Sequence, residues 1–249
     1  MTSLPIQLAG FFLVFARIGA IVMLLPGFGD TAVPPRVRLL IAIALSLILF
    51  PVVTRHLPAI PGSASGLGAL IVAEVLIGLL IGAIVKILFS ALTVTGAIIG
   101  LQSGLAAANL FDPSQGQQSA ILARFFGLAA IVLMFAAGLH HQIIEGLVRS
   151  YMMFIPGDGL MPEDFATLAV DAVATSFALG LQLAAPFLVY GIVFNVGLGL
   201  MARLTPTLQV FFVAQPLNLL LGFALMLALG GIILTQFIAA FGDMLGTIF

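Results

Sequence analysis

The chain has 249 residues, of which 62% are hydrophobic and only 7% charged, with a formal net charge of -1 and a mean hydropathy of +1.31. So little polar surface cannot clothe a water-soluble core, and the composition defines an all-α, integral membrane-type protein. It excludes nucleic-acid binding, because the 8 basic residues form no patch, and the absence of cysteine excludes disulfides, thiol nucleophiles and cysteine metal sites.

Apolar segments run over residues 4–25, 37–53, 69–101, 120–139, 166–201 and 207–241, so six spanning helices is the simplest count. The first segment lacks a positive leader and is interrupted by Arg17, which predicts a retained helix rather than a cleaved signal. Tryptophan is absent and tyrosine occurs only at Tyr151 and Tyr190, so the usual interfacial aromatic belt is almost missing. Residues 26–35, PGFGDTAVPP, break the helix, since Pro34 and Pro35 bias their predecessors toward extended backbone. Arg36 and Arg38 then open the second segment. The positive-inside bias, with strict alternation, places this loop and those around Asp112 and Arg203 on the cytoplasmic side.

Three segments reach about 33 to 36 residues, or roughly 50 Å of helix, against a hydrocarbon core of about 30 Å. They must be broken, strongly tilted or covered by neighbouring protein. Pro186 permits a kink in the fifth segment, whereas the third contains no proline. Along that third segment Gly78 and Gly82, then Gly96, Gly100 and Gly104, repeat at small-xxx-small spacing. Missing side chains let another helix approach closely, within this chain or from another subunit.

Four charges fall in the apolar segments beyond the second. Glu74, Arg124 and Asp171 lie close enough to segment starts for their head groups to snorkel outward. Lys86 lies near the middle of the third segment, about 120° round the helix from Glu74, and needs water or a partner from elsewhere.

The polar stretch 100–118, GLQSGLAAANLFDPSQGQQ, interrupts this oily sequence without a single lysine or arginine. It reads either as a connector in water or as a loop lining or closing a protein-walled pore, since irregular backbone at membrane depth needs protein or water around it. Farther on, Ile143, Ile144, Leu147, Val148 and Tyr151 form an apolar stripe opposite His140, His141, Glu145 and Arg149, the pattern of a short amphipathic helix. Turn formers and acids in 156–164, PGDGLMPED, mark a boundary between an N-terminal part, 1–160, and a C-terminal helical hairpin, 161–249, that turns at Thr205-Pro206.

Enzyme chemistry finds little support. Gly27-Phe28-Gly29-Asp30 spells the GxGD pattern of certain intramembrane aspartyl proteases, but no second aspartate stands in a matching context. His141 and Glu145 share a helical face without a third ligand, and Glu145 also pairs at i+4 with Arg149. No nucleophile triad, P-loop or dinucleotide fingerprint occurs, and no cofactor is expected. A small-solute secondary transporter using Lys86 and Asp171 as coupling charges is the alternative from a different class.

The ordered motifs resemble those of the FliR family of type III secretion export-gate proteins over nearly the whole chain. They include Arg17, Gly19, Pro26-Gly27-Phe28-Gly29 and Val33-Pro34-Pro35-Arg36-Val37-Arg38 near the start, then Glu74, Gly78 and Gly82. The central set is Gly96, Gly100, Gln102, Gly104, Asp112 and Pro113, followed by Gly138, His140 and Ser150. The hairpin contributes Ala185-Pro186, Asn195, Arg203, Pro206, Val210-Phe211-Phe212-Val213 and Pro216-Leu217.

This resemblance implies a structural channel component through which unfolded flagellar subunits leave the cytoplasm, in the bacterial inner membrane at the flagellar basal body. It implies FliP-like and FliQ-like subunits and FlhB-like and FlhA-like partners, with an N-terminal part similar to FliP and a hairpin similar to FliQ. The family's pore plug maps to Ala106, Ala107, Ala108, Asn109, Leu110, Phe111, Asp112, Pro113, Ser114, Gln115, Gly116, Gln117 and Gln118. The partner-facing turn maps to Arg203, Pro206, Gln209, Phe211 and Phe212. Thr207 and Gln209 depart from the Gln and Asn that many members carry after the hairpin proline. Injectisome export-gate proteins share most of these motifs and remain the alternative within the same class.

Overall fold

The computed structural model describes residues 4–29, 33–105, 119–157, 162–205 and 210–248, and every regular element among them is helical. Helix α1, Leu4–Leu24, ends at the Pro26-Gly27 turn, where Gly27 takes φ 81°. Helix α2, Pro35–Val53, starts on a proline, whose fixed φ and missing N–H suit the first turn. A single 3₁₀ turn, Thr54–His56, closes it.

Helix α3, Ala64–Phe89, and helix α4, Ala91–Gln102, are separated only by Ser90, whose φ of -67° and ψ of -11° stay close to helical. The third apolar segment is therefore one continuous stretch of 39 residues, Ala64–Gln102. Helix α5, Ser119–Ala136, and helix α6, Leu139–Met153, are divided at Gly138, whose φ of 75° no β-branched residue would readily adopt.

The hairpin consists of α7, Pro162–Leu204, with 43 residues, and α8, Val210–Ile248, with 39. At 1.5 Å per residue these helices are about 64 and 58 Å long, roughly twice a bilayer's hydrocarbon core. Pro186 lies inside α7 without ending it. Five helices among the described residues are long and apolar enough to cross a membrane, and a sixth span arises if α5 and α6 count together.

Two compact units can be distinguished. The first comprises Met1–Leu88, Gly138–Val173 and Gly242–Phe249; the second comprises Phe89–Ala137 and Ala174–Phe241. Division by compactness thus groups α4 and α5 with most of the hairpin and does not follow the boundary drawn after residue 160. In the first unit the core is built from Leu13, Ile18 and Ile21 of α1, Ile77, Ile81 and Val85 of α3, and Ile143, Leu147 and Tyr151 of α6. Helix α6 is amphipathic: those three residues are buried, while His141, Glu145 and Arg149 are exposed. Arg149 Nη2 donates to Glu145 Oε1 at 2.6 Å, an exposed i,i+4 pair of small energetic weight.

In the second unit Leu92, Ile99, Phe126, Met134, Phe187, Phe237 and Phe241 are buried. The Phe89 ring meets Phe237 and Phe241 edge-on, with centroids 5.4 and 5.7 Å away. Thr95 Oγ1 donates to Ala91 O at 2.9 Å and to Gly180 O at 3.2 Å, so a hydroxyl joins α4 to α7. Gly96 lies against the α5 backbone, where an added Cβ would sit 2.5 Å from Ala123 Cα. Gly127 has nothing within 4 Å of its Cβ position. Accordingly, Gly96→Leu is expected to lower the thermal unfolding midpoint in detergent, followed by circular dichroism, by the equivalent of about 1–3 kcal/mol, and Gly127→Ala to leave it unchanged or slightly raised.

Candidate functional site

Arg17 has no exposed surface, although it sits in the middle of an apolar helix. Burying a guanidinium there is tolerable only if its charge is matched and its donors are used. Glu74 supplies the match: Arg17 Nε donates to Glu74 Oε2 at 2.6 Å and Nη2 donates to Oε1 at 2.9 Å, a bidentate fork. Nη1 donates to Ser150 O and Nη2 to Phe154 O, each at 2.9 Å, so the guanidinium also caps the C-terminal end of α6. The Tyr151 ring lies under the cation, 4.1 Å from Arg17 Cζ, and its hydroxyl donates to Val14 O at 3.4 Å.

The glycines make this approach possible. Glu74, Gly78 and Gly82 follow one another at four-residue spacing and therefore share a face of α3. A Cβ on Gly78 would lie 2.5 Å from Arg17 O, and one on Gly82 would lie 2.9 Å from Leu24 Cβ. With both positions bare, the α3 backbone lies on α1 and the carboxylate reaches the guanidinium.

A second polar cluster lies wholly in the other unit, where α4 ends. Gln215 Nε2 donates to Gly104 O at 2.9 Å. Tyr190 OH donates to Asn218 Oδ1 at 2.6 Å and to Asn218 O at 3.2 Å. Gly104 takes φ +76°, and a Cβ there would lie 2.8 Å from both the Gln215 and Asn218 amide nitrogens. Gly191 leaves room for Gln102, and Gly222 for Ser103. Three glycines and five polar side chains thus clamp the end of α4 between α7 and α8, two residues before position 106.

The residues expected from sequence are distributed as follows. Gly78, Gly82 and Gly96 pack within the chain, Gly100 is buried in α4, and Gly104 belongs to the clamp. Glu74 is 1% exposed and paired, which corrects the expectation that it snorkels outward. Arg124 and Asp171 are exposed. Lys86 is exposed and makes no hydrogen bond or ion pair among the described residues. Arg203 is exposed at the end of α7. Residues 106–118, Asp30, Pro206 and Gln209 lie outside the described residues, and of Phe211 and Phe212 only the backbone, in α8, is described.

Sequence reasoning missed the Arg17–Glu74 pairing and the roles of Tyr190, Gln215 and Asn218. The signal for the first was present: an arginine and a glutamate in different apolar segments, the glutamate followed by two glycines on its own face. The clamp residues carried only the hint of Gly191 and Gly222 in the hairpin.

Taken together, the fold is that of an all-α membrane protein in which buried Arg17, Glu74 and Thr95 join helices. A family model for bacterial export proteins, family 1, matches residues 8–244. The chain is 44% identical over 221 residues to the flagellar biosynthetic protein FliR of Caulobacter vibrioides, with 88% of each chain covered. It is 32% identical over 216 residues to FliR of Escherichia coli, covering 86% of this chain and 81% of that one. Over 181 residues it is 30% identical to Yop proteins translocation protein T of Yersinia pestis, covering 72% and 69%. The chain belongs to the bacterial export proteins of family 1, in the branch represented by FliR.

Removing one member of the buried pair strands the other. Arg17→Ala or Glu74→Ala is expected to destabilise the fold by about 3–5 kcal/mol, whereas the combined Arg17→Met, Glu74→Leu chain loses much less, measured by thermal unfolding and protease resistance in detergent. Equal losses in the single and combined variants would contradict the pairing. In the clamp, Gln215→Leu leaves the Gly104 carbonyl without its donor and is expected to cost about 1–3 kcal/mol in the same assay.

Proposed function

We propose that this chain is a structural, non-enzymatic subunit of the flagellar type III protein export gate, in the inner membrane at the flagellar basal body. One observation carries the reading: the likeness to export proteins extends over 8–244, and the 44% identity to a flagellar member exceeds the 30% to a translocation protein of Yersinia. The apolar surface gives physical support. Of the most apolar window of the span Val213–Thr247 only 11% is buried, and of Phe165–Leu204 only 28%. Helices this long exceed what lipid alone covers, so other protein subunits account for the remainder.

The same reading assigns the finer roles. FliP-like and FliQ-like subunits cover the exposed helices, with residues 1–160 standing where a FliP-like chain stands and 161–249 where a FliQ-like hairpin stands. Residues 106–118 close the channel at rest, and the turn around Arg203, Pro206, Gln209, Phe211 and Phe212 faces FlhB-like and FlhA-like partners. The likeness to FliR supports these assignments. So does the clamp at Gly104, which fixes the point from which the chain enters 106–118.

In its own cell, loss of the chain is expected to abolish secretion of flagellar subunits and motility. Deletion of 106–118 is expected to make the membrane conduct small ions while the assembly persists. Undiminished flagellar secretion without the chain would refute the export role, and unchanged conductance in the deletion would refute the closing role of that stretch.

A further inference from the structure

Helix α3 has two unlike sides. One carries Glu74, Gly78 and Gly82 and is sealed against α1. Ala83, nine residues beyond Glu74, lies about 180° away from it. There Leu76, Leu79 and Ala83, together with Leu24 and with Ala166 and Ala169 of α7, line an open apolar groove of about 620 Å³, all within the first compact unit. Leu76 and Leu79 remain 42% and 40% exposed.

Lys86 does not line the groove; it stands one turn beyond Ala83, about 60° round the helix, and so continues the side of α3 that carries Leu79 and Ala83. It is exposed and, among the described residues, unpaired, within an apolar stretch that runs from Ala64 to Gln102. An ammonium there needs a counter-charge or water. The alanines on the groove walls let a helix backbone come close, a gain that an acyl chain does not realise.

We infer that this groove receives an apolar helix from another subunit of the assembly, and that this helix carries one acidic side chain that pairs with Lys86. The inference rests on the export-gate reading and adds to it a particular surface and the chemistry of its occupant. The two charges of α3 then divide the work: Glu74 joins the helix to its own chain, and Lys86 joins it to a neighbour.

The test uses the full chain in its own cells, with a photoreactive residue replacing Leu79, and reads the sequence of the cross-linked peptide together with secretion of flagellar subunits. The expected result is a cross-link to one apolar helix of a gate subunit containing an aspartate or glutamate. Lys86→Glu then lowers secretion about tenfold or more, the order of cost for unpairing a desolvated interfacial charge, while Lys86→Arg keeps it. Replacing the acid of the cross-linked helix by lysine in the Lys86→Glu background restores secretion. Cross-links to lipid only, or to a helix without an acid, overturn the inference, as does full secretion by Lys86→Glu. Protease resistance of each variant separates a lost contact from a lost fold. If other gate subunits associate with the wild-type chain but the Leu79 probe misses them, the groove assignment alone fails; if none associates, the export-gate reading fails with it.

Discussion

A guanidinium with no access to water constrains everything around it in the first compact unit. Arg17 is placed by an apolar helix at a depth where its charge must be met by protein, and four hydrogen bonds meet it. Two come from a helix about sixty residues downstream and two from carbonyls at the end of a third helix, so one side chain sets the mutual positions of α1, α3 and α6. Its desolvation offsets much of the attraction to Glu74, and a well-packed apolar substitute could hold the same helices with similar stability. What the pair supplies is register: a shift of α3 by one residue along α1 would separate the charges and drive Gly78 and Gly82 away from the backbone they accommodate.

The second unit solves a similar problem with neutral groups. Hydroxyls, amides and glycines replace the ion pair, and Thr95, Tyr190 and Gln215 each donate to a carbonyl or amide oxygen outside their own helix. Hydrogen bonds of this kind fix direction without the desolvation cost of a charge. Outside these internal seams the surface is overwhelmingly apolar, with Val196, Leu204, Val213 and Leu227 among the residues more than half exposed. A patch of that extent on helices far longer than a bilayer is thick is the mark of a subunit whose remaining surface is buried in an assembly.

Much of the fold was legible in the sequence. Apolar length located the helices, because composition this oily leaves few places to turn, and Pro34, Pro35 and Thr205-Pro206 marked breaks through the backbone preferences of proline, whereas the fourth segment was read through the break at Gly138. The amphipathic period of 140–151 located α6. Continuity through Ser90 was not legible, since nothing local distinguishes one overlong helix from two. The Arg17–Glu74 pair escaped because distance along the chain hides which charges meet, and Glu74 near a segment start looked free to reach water. Tyr190, Gln215 and Asn218 escaped for a related reason: a polar residue in an apolar helix shows that a partner is needed, but not which one. Gly104 was legible as a small position and illegible as a backbone one, because its φ of +76° depends on the helices closing around it.

The central claim is that protein, rather than lipid, covers the faces this chain leaves open. Native mass spectrometry of the gently solubilised, affinity-tagged chain from its own cell, identifying every subunit released, asks this directly. The account predicts one copy of the chain held with several FliP-like and FliQ-like chains. A stable monomer or homodimer, intact without them, would contradict it.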